Sequence, residues 1–188
     1  MSALYMSNSN LKSLDIPWNQ DKQRLLIQGE VLLQTRSHTN WGGAVTAWIY
    51  VPLIRSNVWQ QITDYPRWVH YFPDITKSEV ISISRGDVKR LYQAAQKAFF
   101  FFTAQVEIYL SVVEVLGQQV QFRMERGTFN DFHAHLELKD MGNGTLLAYT
   151  VQATPNIPIP SIFIQQAINL ELPANLCKMR QVLCNNKS

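Results

Sequence analysis

The sequence predicts an α+β domain in which a curved antiparallel sheet of about seven strands surrounds one long C-terminal helix. Three observations predict it. Segments with an apolar residue at every second position recur between residues 44 and 153, as is typical of strands with one buried face. Short turns rich in Gly, Asn and Asp separate these segments. Apolar residues then recur at helical spacing from 160 to 184.

The sheet is expected to begin early in the chain and to be followed by two short helices. Residues 25–36 (LLIQGEVLLQTR) are predicted to form a strand, and residues 44–52 (AVTAWIYVP) a second strand or a continuation of the first. Ser56 is suited to cap the first short helix and Asp64 the second, because both side chains accept hydrogen bonds from free N–H groups.

The remaining strands are predicted to form an antiparallel meander. Strong alternation marks the segment 101–115, in which Val106, Ile108 and Leu110 are separated by polar or amphipathic residues. Such strands have one dry and one wet face. The predicted strands are 75–84, 88–97, 101–115, 118–126, 131–140 and 145–153.

The last predicted element is a helix near 160–184. Pro173 lies inside it and is expected to kink it, because proline lacks an N–H and collides with the preceding turn. A bent helix can wrap a curved sheet. The apolar stripe expected to face that sheet is Phe163, Ile164, Ala167, Ile168, Leu170, Ala174, Leu176, Cys177, Met179 and Leu183.

Length and composition indicate a single domain. The 188 residues carry 16% charged and 11% aromatic residues, with a net charge of +3. Because the positive residues are scattered, no nucleic-acid partner is expected. We predict a flexible N-terminal leader at 1–22, one domain at 23–184 and a tail at 185–188. The start of the chain lacks a secretory signal pattern, and no apolar run reaches the length of a membrane span, so we predict a cytoplasmic protein.

Residues 51–81, VPLIRSNVWQQITDYPRWVHYFPDITKSEVI, are dense in aromatic residues around a helical corner. This segment resembles the START-like superfamily, also called SRPBCC, whose Bet v 1-like helix-grip fold encloses a hydrophobic pocket. The resemblance extends over roughly residues 44 to 184 and is closest to bacterial proteins labelled polyketide cyclase/dehydrase or coenzyme Q-binding. The later positions that carry it are Gly127, Gly142, Gly144, Tyr149, Pro155, Pro158, Pro160 and the LPANL run at 172–176.

The resemblance implies an internal cavity that binds a lipid, an isoprenoid quinone or a polyketide. From the residues alone, a solid core fits as well as a cavity, and the resemblance favours the cavity. Two alternatives stay open: a polyketide aromatase/cyclase acting in the same pocket, and an assembly or chaperone protein without a ligand. The residues expected to line the cavity are Trp68, Phe72, Tyr92, Phe122, Met124, Phe132, Tyr149, Phe163 and Ala167.

No reactive motif identifies catalytic residues. His133 and His135 share one face of a strand, but a zinc site needs three or four ligands, so we expect surface histidines and no metal. The sequence contains no glycine-rich phosphate loop, and no cofactor is predicted. Asp64 invites a catalytic interpretation, yet a helix cap is the simpler one. Cys177 and Cys184 lie too far apart on one helix to form a disulfide.

The run from Phe99 to Phe102 is the one apolar tract that could be exposed. In a strand, alternate rings face opposite sides, so one pair would point away from the core. An exposed patch of this kind marks a partner, a membrane or a portal. A transient membrane contact through Phe99, Phe100, Phe101 and Phe102 is therefore one prediction, and a segment folded back over the core is the other.

Overall fold

One antiparallel sheet of eight strands organises the part of the chain that the structure describes. This computed structural model describes residues 19–36, 38–84, 86–99, 102–156 and 161–185, without the side chains of 97–99, 102–104 and 161. The strands are β1 (Leu32–Arg36), β2 (Gly43–Val51), β3 (Ile75–Ile83), β4 (Lys89–Phe99), β5 (Phe102–Val115), β6 (Gln119–Gly127), β7 (Phe129–Met141) and β8 (Gly144–Pro155).

The strand order is β1-β2-β8-β7-β6-β5-β4-β3. Strands β3 to β8 therefore run as a meander of sequential neighbours, and β2 closes the sheet against β8. Gly117 and Gly142 make two of the tight turns with φ of 67° and 56°, a left-handed conformation that glycine adopts without steric cost. The predicted α+β fold with its antiparallel meander is confirmed.

The helices lie on both sides of this sheet. The inner face packs against the C-terminal helix, whose Leu176, Met179 and Leu183 are fully buried in the main core. On the outer face, Leu26 packs in a second cluster with Trp48 of β2. The helices are α1 (Gln20–Gln28), α2 (Arg55–Ile62), a 3₁₀ turn (Tyr65–Arg67), α3 (Trp68–Tyr71), α4 (Ser161–Gln166), a π-helical segment (Ala167–Glu171) and α5 (Leu172–Asn185).

The strand predicted over 25–36 is wrong in its first half, which belongs to α1. The Asn19 side chain accepts a hydrogen bond from the Lys22 amide at 2.9 Å and starts this helix. Gly29, with φ of 102°, ends it. Helical spacing turns Leu26 toward the sheet, so that a helix on the outer face buries this residue of the apolar run. Only Leu32–Arg36 is strand.

The two short helices predicted after the first strands are confirmed, but their caps differ from the prediction. Ile54 occupies the N-cap position of α2, where Ser56 was expected. Asp64 occupies the N-cap position of the 3₁₀ turn, although its side chain makes no capping hydrogen bond. The corner is instead fixed by Trp68 Nε1, which donates to the Ile62 carbonyl at 2.9 Å, and by the Tyr71 hydroxyl, which donates to the Gln61 carbonyl at 3.0 Å.

The predicted C-terminal helix contains a π-helical segment, Ala167–Glu171, which ends two residues before Pro173. The Leu172 amide donates to the Ala167 carbonyl, five residues back. Three residues of the expected apolar stripe, Ala167, Leu170 and Ala174, are exposed.

Several predictions concern residues that the structure does not describe. Residues 1–18 of the predicted leader and 186–188 of the predicted tail lie outside the described residues. Strands β4 and β5 pair up to Phe99 and Phe102, but Phe100, Phe101 and the side chains of the other two are also outside, so membrane contact stays a prediction. In the described ranges, no helix combines the length and hydropathy needed to span a bilayer.

Candidate ligand-binding cavity

A cavity of about 360 Å³ lies between the inner face of the sheet and the first half of the C-terminal helix. Its wall is mostly aliphatic and aromatic, and its volume falls at the lower end of the range for small-molecule sites, about 300–1,000 Å³. The lining residues are Gly43, Val45, Phe72, Tyr149, Val151, Ala153, Pro155, Phe163, Ile164, Ala167, Ile168, Glu171, Leu172 and Asn175.

The floor of the cavity consists of small side chains on β2 and β8. Gly43 pairs with Ala153, and Val45 pairs with Val151. Alternate residues of a strand face the same side, so these four residues form one continuous patch. A Cβ atom on Gly43 would lie 3.0 Å from the Ile168 Cδ1 atom, which shows how closely the helix approaches the sheet here. Small residues leave the space that larger ones would fill.

Tyr149 and Phe72 form the deep end. Tyr149 is the next inward-facing residue of β8 after Val151, and its ring centroid lies 6.1 Å from that of Phe72. Beyond it, Ile49 and Leu147 pair across the same two strands, are completely buried and do not line the cavity. The cavity therefore ends at the Tyr149 and Phe72 rings.

The Tyr149 hydroxyl is a polar group in this apolar wall that has no hydrogen-bond partner among the described residues. The residue is 8% exposed. Burial raises the pKa of the phenol, because the phenolate would lose its hydration. At neutral pH the group is therefore a protonated phenol that is able to donate.

The helical wall includes a second polar region at Glu171 and Asn175. These residues are four apart, a spacing that places side chains near each other on a helix surface. The Gln166 side-chain amide donates to Glu171 Oε1 at 3.5 Å. Since π-helical segments are frequent at functional sites, the position of Ala167–Glu171 in the cavity wall supports a functional assignment. Among the described lining residues, Tyr149 and Glu171 are the titratable ones.

The structure separates the residues that the sequence grouped as one pocket. Phe72, Tyr149, Phe163 and Ala167 lie in the cavity wall. Trp68 and Phe122 lie behind Phe72 in the packed core: Trp68 stacks on Phe72 at 5.5 Å and contacts the Phe122 ring at 5.1 Å between centroids. The inward aromatic residues near the corner thus fill the core next to the cavity.

The other three predicted pocket residues lie elsewhere. Met124 and Phe132 are partly buried against the main core and are not part of the cavity wall. Tyr92 faces the outer side of the sheet, because its neighbour Leu91 is buried in the main core and successive residues alternate. The Tyr92 ring contacts the Tyr109 ring there, at 5.0 Å between centroids.

Sequence reasoning missed the small residues of the floor and the polar residues of the helical wall. Val45 and Val151 were detectable as inward-facing strand residues. Their pairing across β2 and β8, which creates the floor, joins positions about a hundred residues apart, and a single sequence contains no signal for it.

Two polar clusters lie away from the cavity. Glu114 accepts hydrogen bonds from the Tyr65 hydroxyl at 2.5 Å and from Lys89 Nζ at 2.6 Å. His135 is 5% exposed, so the prediction of a surface histidine is wrong for it. Its Nε2 lies 3.2 Å from Gln119 Oε1, and burial lowers the pKa of its ring. The described residues contain no group of His, Cys, Asp and Glu arranged to hold a metal.

Comparisons with known proteins agree with this architecture. The family described as polyketide cyclase/dehydrase and lipid transport matches residues 51–180. The sequence has no match among the curated proteins.

Similar folds occur among solved structures, and the three that follow each share little sequence with this chain. A START superfamily protein from Mycobacterium smegmatis is 13% identical, with a TM-score of 0.64, 76% of this chain covered and 97% of that chain. A STAR-related lipid transfer protein from Xanthomonas axonopodis is 12% identical, with a TM-score of 0.58 and coverages of 81% and 98%. An aromatase/cyclase from Streptomyces sp. R1128 is 10% identical, with a TM-score of 0.56 and coverages of 77% and 92%.

Proposed function

Since the chain belongs to the polyketide cyclase/dehydrase and lipid transport family, we propose that it binds a hydrophobic small molecule in the cavity between β2, β8 and the C-terminal helix. The apolar floor of that cavity is the observation that supports binding. The short side chains of Val45, Val151 and Ala153 line space beside a helix that approaches the sheet closely at Gly43. Apolar ligand surface that leaves water there gains about 25 cal/mol per Å².

The proposed ligand classes are a lipid, an isoprenoid quinone or a polyketide. All three present a long apolar surface with few polar groups. The cavity offers the same composition, with Tyr149 at its deep end and Glu171 and Asn175 in the helical wall. The similarity in fold to a STAR-related lipid transfer protein supports the proposal.

Native mass spectrometry of the purified protein tests this proposal. We expect a one-to-one adduct that is released on denaturation and that an organic extraction recovers as an apolar compound. A titration with a fluorescent fatty acid should give saturable binding that the extracted compound displaces. The proposal would be contradicted if the protein showed no adduct and no apolar probe bound saturably.

Polyketide cyclisation is the second candidate, and the carboxylate of Glu171 in the cavity wall favours it. Aldol closure requires a group that moves a proton, and a carboxylate near the substrate can do so. A poly-β-ketone thioester mimic should then be converted to an aromatic product, and Glu171→Gln should abolish conversion while the mimic still binds. Asp64→Asn is the matched control, since Asp64 is exposed and lies outside the cavity wall. No conversion by the wild-type protein would leave binding as the function.

A further inference from the structure

We infer that the ligand carries a carbonyl group, which accepts a hydrogen bond from the Tyr149 hydroxyl at the deep end of the cavity. The inference rests on the proposed function, because it requires that a ligand occupies this cavity. It goes further by naming the polar group of the ligand and the end at which that group lies.

The Tyr149 hydroxyl lacks a partner that its position would require. Tyr149 is 8% exposed, and its hydroxyl, which keeps some accessible surface, has no hydrogen-bond partner among the described residues. Buried polar groups in folded proteins nearly always have a partner, and leaving one without a partner is unfavourable. Phenylalanine would fill this position with the same apolar surface. A tyrosine here therefore indicates a partner that arrives with the ligand.

The protonation state of this phenol sets the direction of the hydrogen bond. Burial raises the pKa of the Tyr149 phenol, so the group keeps its proton. A neutral phenol donates a hydrogen bond more strongly than it accepts one. Its best partner is thus an oxygen without a hydrogen, such as the carbonyl of a ketone, an ester or a quinone.

The cavity wall that the sheet contributes next to Tyr149 is apolar. The floor residues that follow Tyr149 along β8, Val151 and Ala153, offer only apolar side chains, and the Phe72 ring lies 6.1 Å from the Tyr149 ring between centroids. The remaining polar side chains of the wall, Glu171 and Asn175, belong to the helix. A ligand with its carbonyl at Tyr149 would place an apolar body along the floor. The same carbonyl at any of these floor positions would lose its hydration without compensation.

Paired probes separate this inference from the proposed function. 2-Acetylnaphthalene and 2-ethylnaphthalene have nearly the same shape and differ in the carbonyl group. Wild-type protein and Tyr149→Phe are each titrated with both probes. For the ketone, Tyr149→Phe should weaken affinity about 2- to 12-fold, the value of one net hydrogen bond. For the hydrocarbon, affinity should be unchanged or higher, because it no longer leaves a hydroxyl unpaired.

Infrared spectra of the bound ¹³C-carbonyl ketone supply a second readout. The carbonyl stretch should lie at lower frequency in the wild-type complex than in the Tyr149→Phe complex, since a hydrogen bond weakens the C=O bond. Tyr92→Phe is the matched control, because Tyr92 lies on the outer face of the sheet against Tyr109. It should change neither the affinity nor the carbonyl frequency.

Each remaining outcome has one meaning. Equal affinity changes for both probes, or unchanged ketone affinity and carbonyl frequency in Tyr149→Phe, would overturn the assignment of Tyr149 and leave the proposed binding function intact. Wild-type protein that binds neither probe, while it still binds the fluorescent fatty acid, would overturn the inference and leave the proposed binding function intact. Unfolding of Tyr149→Phe at lower urea than wild type would show a structural hydrogen bond and also count against the inference.

Discussion

Filling the cavity from Ala167 should abolish ligand binding and leave the fold intact. Ala167 lies in the π-helical segment, lines the cavity and is exposed. Ala167→Trp would place an indole ring in space that is empty without ligand. Because this ring enters a cavity and displaces no packed side chain, we expect the free energy of unfolding to change by less than about 1 kcal/mol, below the usual 1–3 kcal/mol for overpacking a filled core.

The loss of affinity can be estimated from buried area. A tryptophan side chain buries about 150–250 Å², and the ligand would lose contact with a similar area of cavity wall. At about 25 cal/mol per Å², this corresponds to about 4–6 kcal/mol of lost apolar burial. Even if the ligand recovers half of it in another position, affinity falls by at least about thirtyfold.

Titration with a fluorescent fatty acid measures this effect, and urea unfolding checks the fold. Ala174→Trp is the matched control, since Ala174 is exposed on the same helix and does not line the cavity. It should bind the probe like the wild-type protein. Equal affinity of Ala167→Trp and wild type would refute this placement of the ligand, provided that both proteins unfold at similar urea concentrations.

Three further predictions follow from the packing and the buried charges. Phe72→Ala should lower the free energy of unfolding in urea by about 3 kcal/mol and should strengthen binding of bulkier probes, because the cavity would then reach Trp68; unchanged probe selectivity would contradict this. Gly43→Val should lower the free energy of unfolding by about 1–3 kcal/mol, since the new Cβ would crowd Ile168. Ile168→Ala in the same chain should recover part of that loss, and strictly additive effects of the two changes would rule out the contact. Burial lowers the pKa of His135 below its usual value near 6.5. Its contribution to the free energy of unfolding should therefore be complete above about pH 6.5 and decline as the pH falls. His135→Gln should reduce this decline in urea unfolding, and an equal decline in the variant would exclude the histidine as its source.

The sequence predicted the sheet well because alternation is a local signal. Strands β5 and β6 each carry enough inward apolar residues to define their face within one strand, and glycine turns such as Gly117 define the ends. The same reasoning did not predict the N-terminal helix. Its apolar residues Leu25, Leu26 and Ile27 are consecutive, so neither a period of two nor one of 3.6 is evident. The contact that buries the apolar side of this helix, between Leu26 and Trp48, joins α1 to β2, which follows later in the chain.

The cavity was harder to predict than the fold because it forms where side chains are missing. Sequence reasoning selected large aromatic residues, and large buried residues tend to fill space: Trp68 and Phe122 contact each other and close the core. Space remains where Gly43 and Ala153 meet across two strands. On its own, a small residue in a strand does not indicate a cavity. Only register, which depends on long-range pairing, turns two small residues into the floor of a binding site.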